Sequence, residues 1–481
     1  MDKFNKINQK FLVVPKLLYF SIATAFYVFH QFRGQFICDT FNVDKSDLGF
    51  YLSIPQFLSF FSTLYVGAIN DRSGKQKLLI FSLLVLGGFF FQSFFVGINS
   101  FTFWYMYTAY FCLISATLPL LDKVMLDYVS EIPGMGPKAF GSQRIWSTFG
   151  YLFTNFTVEH LITDKDSKDL NYSAMPVFNW IAVVVTGALI LTFVRNFQSR
   201  QSSTNYLSSV RSLISNFEYM YFIFIILLCG ISRAFMTNYL GIYYSKVLNF
   251  KDQPNTLNLF WPLNRLADWG YAHKQSTSTL FGVALEILIF YNSSYVTDKL
   301  GLLWPIFLSQ IFQALRFLAY YSLSYENENS FAFCCLIELL KGASYSFIHT
   351  SALQLANSFS PPNLRTTSQL IYNGVFVAIG TVAAGLFFKS YFSKTTDETD
   401  VGIVYKEFNS AFKANIIFAL VSLAFFLWKY AISENLLFSR ENTQRKLQAI
   451  ENEARLEGEQ QMPSIEDAER REDAQAIEAK S

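Results

Sequence analysis

The chain is a succession of long apolar blocks separated by short polar ones. Apolar windows of about 20 residues recur, each long enough to cross a bilayer core of about 30 Å as a helix. They predict spans near residues 12–37, 48–70, 78–98, 102–129, 138–162 and 174–195, then 218–245, 275–298, 302–324, 331–357, 367–392 and 408–431. The fifth, eighth and tenth carry charges that interrupt the apolar pattern. A Ser-, Gln- and Asn-rich stretch, roughly Asn196 to Asn216, separates the sixth span from the seventh and reads as a flexible connection. The expected organisation is a six-helix bundle over 1–195, a linker over 196–217, a second bundle over 218–432 and a tail over 433–481. The predicted class is therefore an all-α membrane protein with twelve transmembrane helices in two six-helix halves.

Composition supports that class. The chain is 52% apolar and 15% charged, and Phe supplies 53 of its 481 residues; a typical soluble protein is about a quarter charged. These values exclude a soluble enzyme, a disordered scaffold and a nucleic-acid binder. The five cysteines (Cys38, Cys112, Cys229, Cys334, Cys335) fall mostly in apolar segments, with neither a disulfide framework nor metal-ligand spacing. No metal site and no cofactor are expected.

Charge gives an orientation. Lys3, Lys6, Lys10 and Lys16 precede the first span, which is long and lacks a small-residue cleavage site, so the N-terminus is expected in the cytosol. An even number of spans returns the C-terminus to the same side. The loops on that side hold Arg72, Lys75, Lys77, Lys138, Arg195, Arg200, Arg211, Lys299 and Arg365. Opposite loops carry Asp39, Asp44, Asp47, Asp164, Asp166, Asp169, Glu326, Glu328, Asp397, Glu398 and Asp400. The loop around Phe250–His273 departs from this rule, with Lys246, Lys251, Arg265 and Lys274. From Glu434 onward the tail has seven Lys/Arg against twelve Asp/Glu; its run from Ser439 to Gln460 is expected to form a solvated helix, with a cytosolic partner as the alternative.

An internal repeat links the halves. After the second span comes Gly67-Ala-Ile-Asn-Asp71-Arg72-Ser-Gly74-Lys75, and after the eighth comes Asp298-Lys299-Leu300-Gly301. Each Asp is followed directly by a cation and three residues later by Gly. Two repeated halves with a site between them near the midplane form the architecture of a secondary transporter. In the first copy Gly67 is expected to let helices approach and Gly74 to permit a tight turn. Asp71, Arg72 and Lys75 would supply charges for a gate between the bundles.

Charges inside spans cost roughly 2.5–3.5 kcal/mol on insertion scales and usually face a partner. This chain has His30, Arg33, Asp122, Lys123, Asp127, Arg144, Arg233, Glu286, Arg316, Glu338, Lys341 and His349. Lys123 and Asp127 lie near a span end, where snorkelling suffices. Glu338 and Lys341 are three apart and are expected to neutralise each other. Asp122, Arg144, Glu286 and Arg316 have weaker boundary explanations and are the favoured functional charges.

Three stretches resemble the major facilitator superfamily, and within it the lactose-permease-like oligosaccharide/proton symporters with their nucleoside-symporter and eukaryotic facilitator-like relatives. The first is Asp44-Lys45-Ser46-Asp47-Leu48-Gly49 followed by span two and the Gly67–Lys75 loop. The second is Pro119-Leu-Leu-Asp122 followed by Phe140-Gly141-Ser-Gln-Arg144 and Gly150-Tyr151. The third combines Ala314-Leu315-Arg316 with Pro361-Pro-Asn-Leu-Arg365-Thr-Thr-Ser-Gln369. The resemblance implies that Asp122 and Arg144 hold substrate hydroxyls through charge-assisted hydrogen bonds, and that Tyr151 packs on a sugar face. Span ten departs from the family pattern: Lys341 and Ser344 stand where a coupling His and Glu are expected. Glu286 and Glu338, with Arg316 and Lys341, are the candidates to replace them.

The function implied is secondary transport of a small polar, sugar-like or nucleoside-like solute by alternating access, either coupled to protons through those charges or uncoupled, as a facilitator. The alternative is a receptor, sensor or assembly partner built on a transporter fold. No nucleophile–base pair or phosphate loop suggests an enzyme, and a monomer in a plasma or internal membrane is the default.

Overall fold

A computed structural model describes residues 12–130, 138–163, 170–195, 211, 213–250, 253–255, 257, 260–360, 365–392, 401–439, 441–446, 448–449 and 452. Among them there is no β-strand, and the fold is a bundle of helical rods. The first half contains α1 (Val13–Phe26), α2 (Arg33–Phe41), α3 (Lys45–Ser73), α4 (Gln76–Gln92), α5 (Ser100–Ile114), α6 (Thr117–Ser130), α7 (Lys138–Ile162) and α8 (Met175–Phe193). The second contains α9 (Phe217–Ile242), α10 (Leu263–Ala272), α11 (Lys274–Tyr291), α12 (Ser293–Leu300), α13 (Leu303–Tyr321), α14 (Ser330–Ser358), α15 (Arg365–Gly374), α16 (Gly380–Phe388) and α17 (Val401–Leu427).

Each expected span coincides with a rod, though several rods are broken. The first divides at Tyr27–Phe32 into α1 and α2, and the fourth divides at Ser115–Ala116 into α5 and α6. The eighth bends by 71° between α11 and α12, where the Asn292 side-chain amide donates to the Leu288 carbonyl at 2.8 Å. A π-helical segment, Val375–Ile379, joins α15 to α16. The loop expected around Phe250–His273 contains α10. By length and composition, seven of the described helices are apolar enough to cross a membrane, or eight if the bent pair is one span. The fifth rod falls short because α7 carries Gln143, Arg144, Asn155, Glu159 and His160 along its length.

Both copies of the repeat seen in the sequence end in a glycine at positive φ, though with different ψ. Gly74 ends α3 at φ 60°, donating to Asn70 at 3.0 Å, and Gly301 ends α12 at φ 73°, donating to Thr297 at 2.8 Å. A residue at positive φ lets a helix stop and the chain turn within one position, and glycine adopts it without Cβ strain.

The two halves meet unequally at their two ends. At the Asp47 end one apolar core runs through both, joining Phe29, Phe36 and Leu48 of the first half to Phe235, Tyr239 and Phe408 of the second. At the Gly74 end the second half has a separate core of its own, including Tyr219, Phe222, Ile306, Leu355 and Tyr372. The closest crossing explains part of the difference. A Cβ placed on Gly385 of α16 would stand 2.5 Å from the Gly49 carbonyl oxygen of α3, so these helices touch backbone to backbone.

The start of the tail is held to the second half. Lys429, buried just after α17, pairs with Glu218 at 3.0 Å and Glu434 at 3.2 Å, and its ammonium sits over the rings of Phe217 and Tyr221. Lys446 reaches back to Glu218 at 3.1 Å. Most of the run from Ser439 to Gln460 lies outside the described residues.

Candidate functional site

The broken first span and helices α6 and α7 assemble the first cluster. Asp122 of α6 lies 3.3 Å from the Arg144 guanidinium of α7, and the Tyr19 hydroxyl of α1 donates to the same carboxylate at 2.7 Å. Two helical turns along α7 from Arg144, Tyr151 meets Tyr27 edge-on with ring centroids 4.6 Å apart, and His30 lies at 5.9 Å. Asp122, Arg144 and Tyr151 therefore lie on one face, toward α1. Tyr19 and Tyr27 complete that face; in so aromatic a chain nothing distinguished them in advance.

Arg144 has an unusual setting. Its side chain is 57% exposed, yet it lies within electrostatic reach of Tyr27 in its own half and of Tyr345 and Glu286 in the other. A charged group both solvent-accessible and flanked by opposing helices lines a wet space between the halves, where an intramembrane ion is least costly. Glu286 of α11 shares this space. It makes no ion pair or hydrogen bond among the described residues, while the charges of Lys341 and Arg144 reach it.

The second cluster is drier. Arg316 of α13 and Glu338 of α14 are both buried and pair at 2.7 Å, with the Arg316 Nε also donating at 3.1 Å. The Tyr320 hydroxyl donates to the same Glu338 oxygen at 2.7 Å, and Tyr244 bridges Tyr320 at 2.6 Å to Ser278 at 3.0 Å. This corrects the expectation that Glu338 neutralises Lys341: a guanidinium satisfies a buried carboxylate with two donors, and Arg316 has taken that place. Lys341 instead lies with Glu338 beside Gly282 of α11. There α14 approaches closely, for a Cβ on Gly342 would be 2.8 Å from the Gly282 carbonyl oxygen and 3.1 Å from the Glu286 nitrogen. Ser344 serves packing: it exchanges hydrogen bonds with Ser309 of α13, donating to its carbonyl at 2.9 Å and accepting at its own carbonyl at 2.7 Å.

Three further intramembrane charges have local partners among the described residues. Arg33 donates to Asn238 at 3.0 Å across the two halves. Arg233 stands over the Phe376 ring at 5.1 Å and donates to Thr237 at 3.3 Å. His349 shares a 2.8 Å hydrogen bond with the Tyr372 hydroxyl.

The expected gate is placed only in part. Gly67, Asp71 and Arg72 lie in the last turns of α3, Gly74 forms its end and Lys75 is exposed in the turn. The side chains of Asp71 and Arg72 lie outside the described residues. A Cβ on Gly67 would meet nothing within 4 Å, so the close helix approach expected there is absent. At this end the second half packs around a separate core of its own.

At the opposite end the halves are tied by polar contacts that sequence reading missed. Glu159 of α7 accepts the backbone N–H groups of Gln275 at 3.0 Å and Ser276 at 2.8 Å, in the first turn of α11. Gln275 donates to Gln35 at 3.1 Å, Thr279 donates to Gln31 at 3.1 Å, and Lys389 pairs with Asp47 at 2.7 Å.

The comparisons agree with this architecture. A single-residue variant of the nucleoside transporter NupG superposes with a TM-score of 0.70 at 14% identity, over 86% of this chain and 98% of that one. The peptide-transporter-family protein PepTSo gives 0.65 at 14%, over 87% and 97%. A bacterial homolog of the human lysosomal transporter Spinster, in an inward-facing and unoccupied conformation, gives 0.58 at 9%, over 87% and 95%. The MFS_1-like family model matches residues 14–396. By that match the chain is a multi-pass membrane transporter and not an enzyme, and it belongs to the MFS_1-like family of the major facilitator superfamily.

Proposed function

We propose that this chain moves a small polar solute, sugar-like or nucleoside-like, between its two halves by alternating access. The observation that carries the reading is the convergence of Asp122, Arg144, Tyr19, Tyr27 and Tyr151 on one wet face that Glu286 and Tyr345 approach from the other half. A carboxylate and a guanidinium side by side grip vicinal hydroxyls with short charge-assisted hydrogen bonds, while tyrosine rings cover a sugar or base. The nucleoside transporter among the structural neighbours is consistent with this class.

The unequal closure supports a stage in the cycle. With the basic loops at Gly74 and Gly301 on the cytosolic side, this conformation is open to the cytosol and shut outside, and both termini are cytosolic. Residues 1–195 and 218–432 are the moving bodies, and 196–217 connects them. In the outward-open state the Gly67–Lys75 segment would close against the second half and Asp71 would find its partner there.

Proton coupling is assigned to Glu286, with Arg316, Glu338 and Lys341 as the charges that set its state. Glu286 is the carboxylate of this group without a direct partner among the described residues, so rocking of α11 changes its distance to Lys341 and Arg144. The test is a thermal-shift screen against sugars, nucleosides, amino acids and organic acids at two pH values, on wild type and Arg144→Ala. A compound that stabilises wild type alone supports the site. Equal stabilisation of both proteins rejects it. Binding without flux in proteoliposomes would favour the receptor alternative.

A further inference from the structure

Two of the four histidines in this chain meet at the shut end, on opposite halves. His160, in the last turn of α7, places its Nδ1 3.4 Å from the Nε2 of His273, which joins α10 to α11. Two imidazole nitrogens bound to one tetrahedral zinc at the usual ~2.0–2.1 Å stand about 3.3–3.4 Å apart. The observed separation, a long hydrogen-bond contact between the two rings, matches that spacing, and the rings are accessible to water.

The surroundings favour that use. The His273 Nδ1 lies 3.1 Å from the Trp269 carbonyl. A proton held there by the carbonyl leaves the Nε2 lone pair directed at His160. A backbone carbonyl on the far nitrogen is the usual arrangement behind a metal-ligating histidine. One turn earlier on each helix, Phe156 stacks on Trp269 with centroids 4.6 Å apart. This aromatic pair holds the His160 and His273 rings in register, since positions four apart share a helix face.

We propose that His160 and His273 form a two-point site for a borderline transition-metal cation such as Zn²⁺, Ni²⁺ or Cu²⁺, with water filling the remaining positions. No described group of three or more His, Cys, Asp or Glu side chains is arranged to hold a metal, so the site is a weak, reversible one and not a structural zinc centre. Its ligands belong to different halves. An ion bound by both therefore clamps the shut end, and any movement that parts α7 from α10 and α11 must release it. The site rests on the histidine geometry alone and not on the identity of the solute, so a failed ion titration leaves the transport reading standing.

The test uses the full chain in lipid nanodiscs with ZnCl₂ or NiCl₂ as the probe. Calorimetric titration is expected to give one ion per chain in wild type, with affinity reduced at least tenfold in His160→Ala and in His273→Ala. Without metal both variants should melt as wild type does, since the rings are at the surface. Binding to the native state should raise the wild-type melting temperature and slow amide exchange in segments 156–162 and 269–276. Equal binding by wild type and both variants, or no binding, overturns the site. Binding that leaves exchange in those two segments unchanged overturns the clamp.

Discussion

The Glu159 carboxylate receives the Ser276 backbone N–H at 2.8 Å, and that of Gln275 at 3.0 Å, across the junction between the two halves. A helix start has unsatisfied N–H groups and a partial positive charge. In α11 a side chain from the other half supplies the counter-charge, in place of a capping residue of the helix itself. Glu159→Gln keeps the shape and removes the charge. It should weaken the shut end by about 1–2 kcal/mol, read as faster amide exchange around residues 274–277 with little change elsewhere.

The Arg316–Glu338 pair makes a contrasting prediction. Removing one member of a buried pair leaves the other unpaired and costs about 3–5 kcal/mol, whereas replacing both with apolar residues is often neutral. Arg316→Met alone should therefore lower the melting temperature strongly. Arg316→Met with Glu338→Leu should recover most of it. A double variant as unstable as the single one would assign the loss to the orphaned Tyr320 and Tyr244 hydroxyls.

At the wet face the chemistry depends on shape as well as charge. Arg144→Lys retains a cation but loses the planar fork that can hold Asp122 and a diol together. A hydrogen bond to a charged group contributes about 1.5–3 kcal/mol. Affinity for whatever solute the screen identifies should fall at least tenfold, and Lys should rescue little over Ala. Tyr151→Phe preserves the edge-on contact with Tyr27 and should be milder than Tyr151→Ala.

The Gly49–Gly385 crossing can be tested by size. Gly385→Leu cannot be accommodated while the α3 and α16 backbones touch. The variant should populate conformations parted at the Asp47 end, measured as increased thiol labelling of a cysteine placed at Gln35. Unchanged labelling with wild-type stability would mean that the helices separate there at little cost.

Much of this was readable from the chain. Apolar blocks marked the rods because a bilayer demands about 20 apolar residues per crossing. Asp122 and Arg144 drew notice as charges inside spans that need a partner, and they pair with each other at 3.3 Å. Gly74 and Gly301 were readable because a turn after a helix has a local chemical signature. The contacts at the shut end had no such signature. Glu159 meets Ser276 after 117 residues and His160 meets His273 after 113, and neither partner stands in a pattern. Hydropathy was also silent on the 71° bend at Asn292, since polarity averaged over a window does not report where a helix changes direction. The Glu338–Lys341 expectation failed for a related reason: spacing along one helix cannot see Arg316 arriving from its neighbour.

The anchor at Glu159 has one more consequence. Its donors are main-chain groups that every amino acid except proline carries, so the anchor does not depend on which side chain stands at the half-buried position 275. Position 275 can change without losing the anchor, giving up only its own hydrogen bond to Gln35, whereas Ser276 is fully buried and admits no larger side chain. Proline at either position would remove a donor, and a change at position 159 would remove the acceptor.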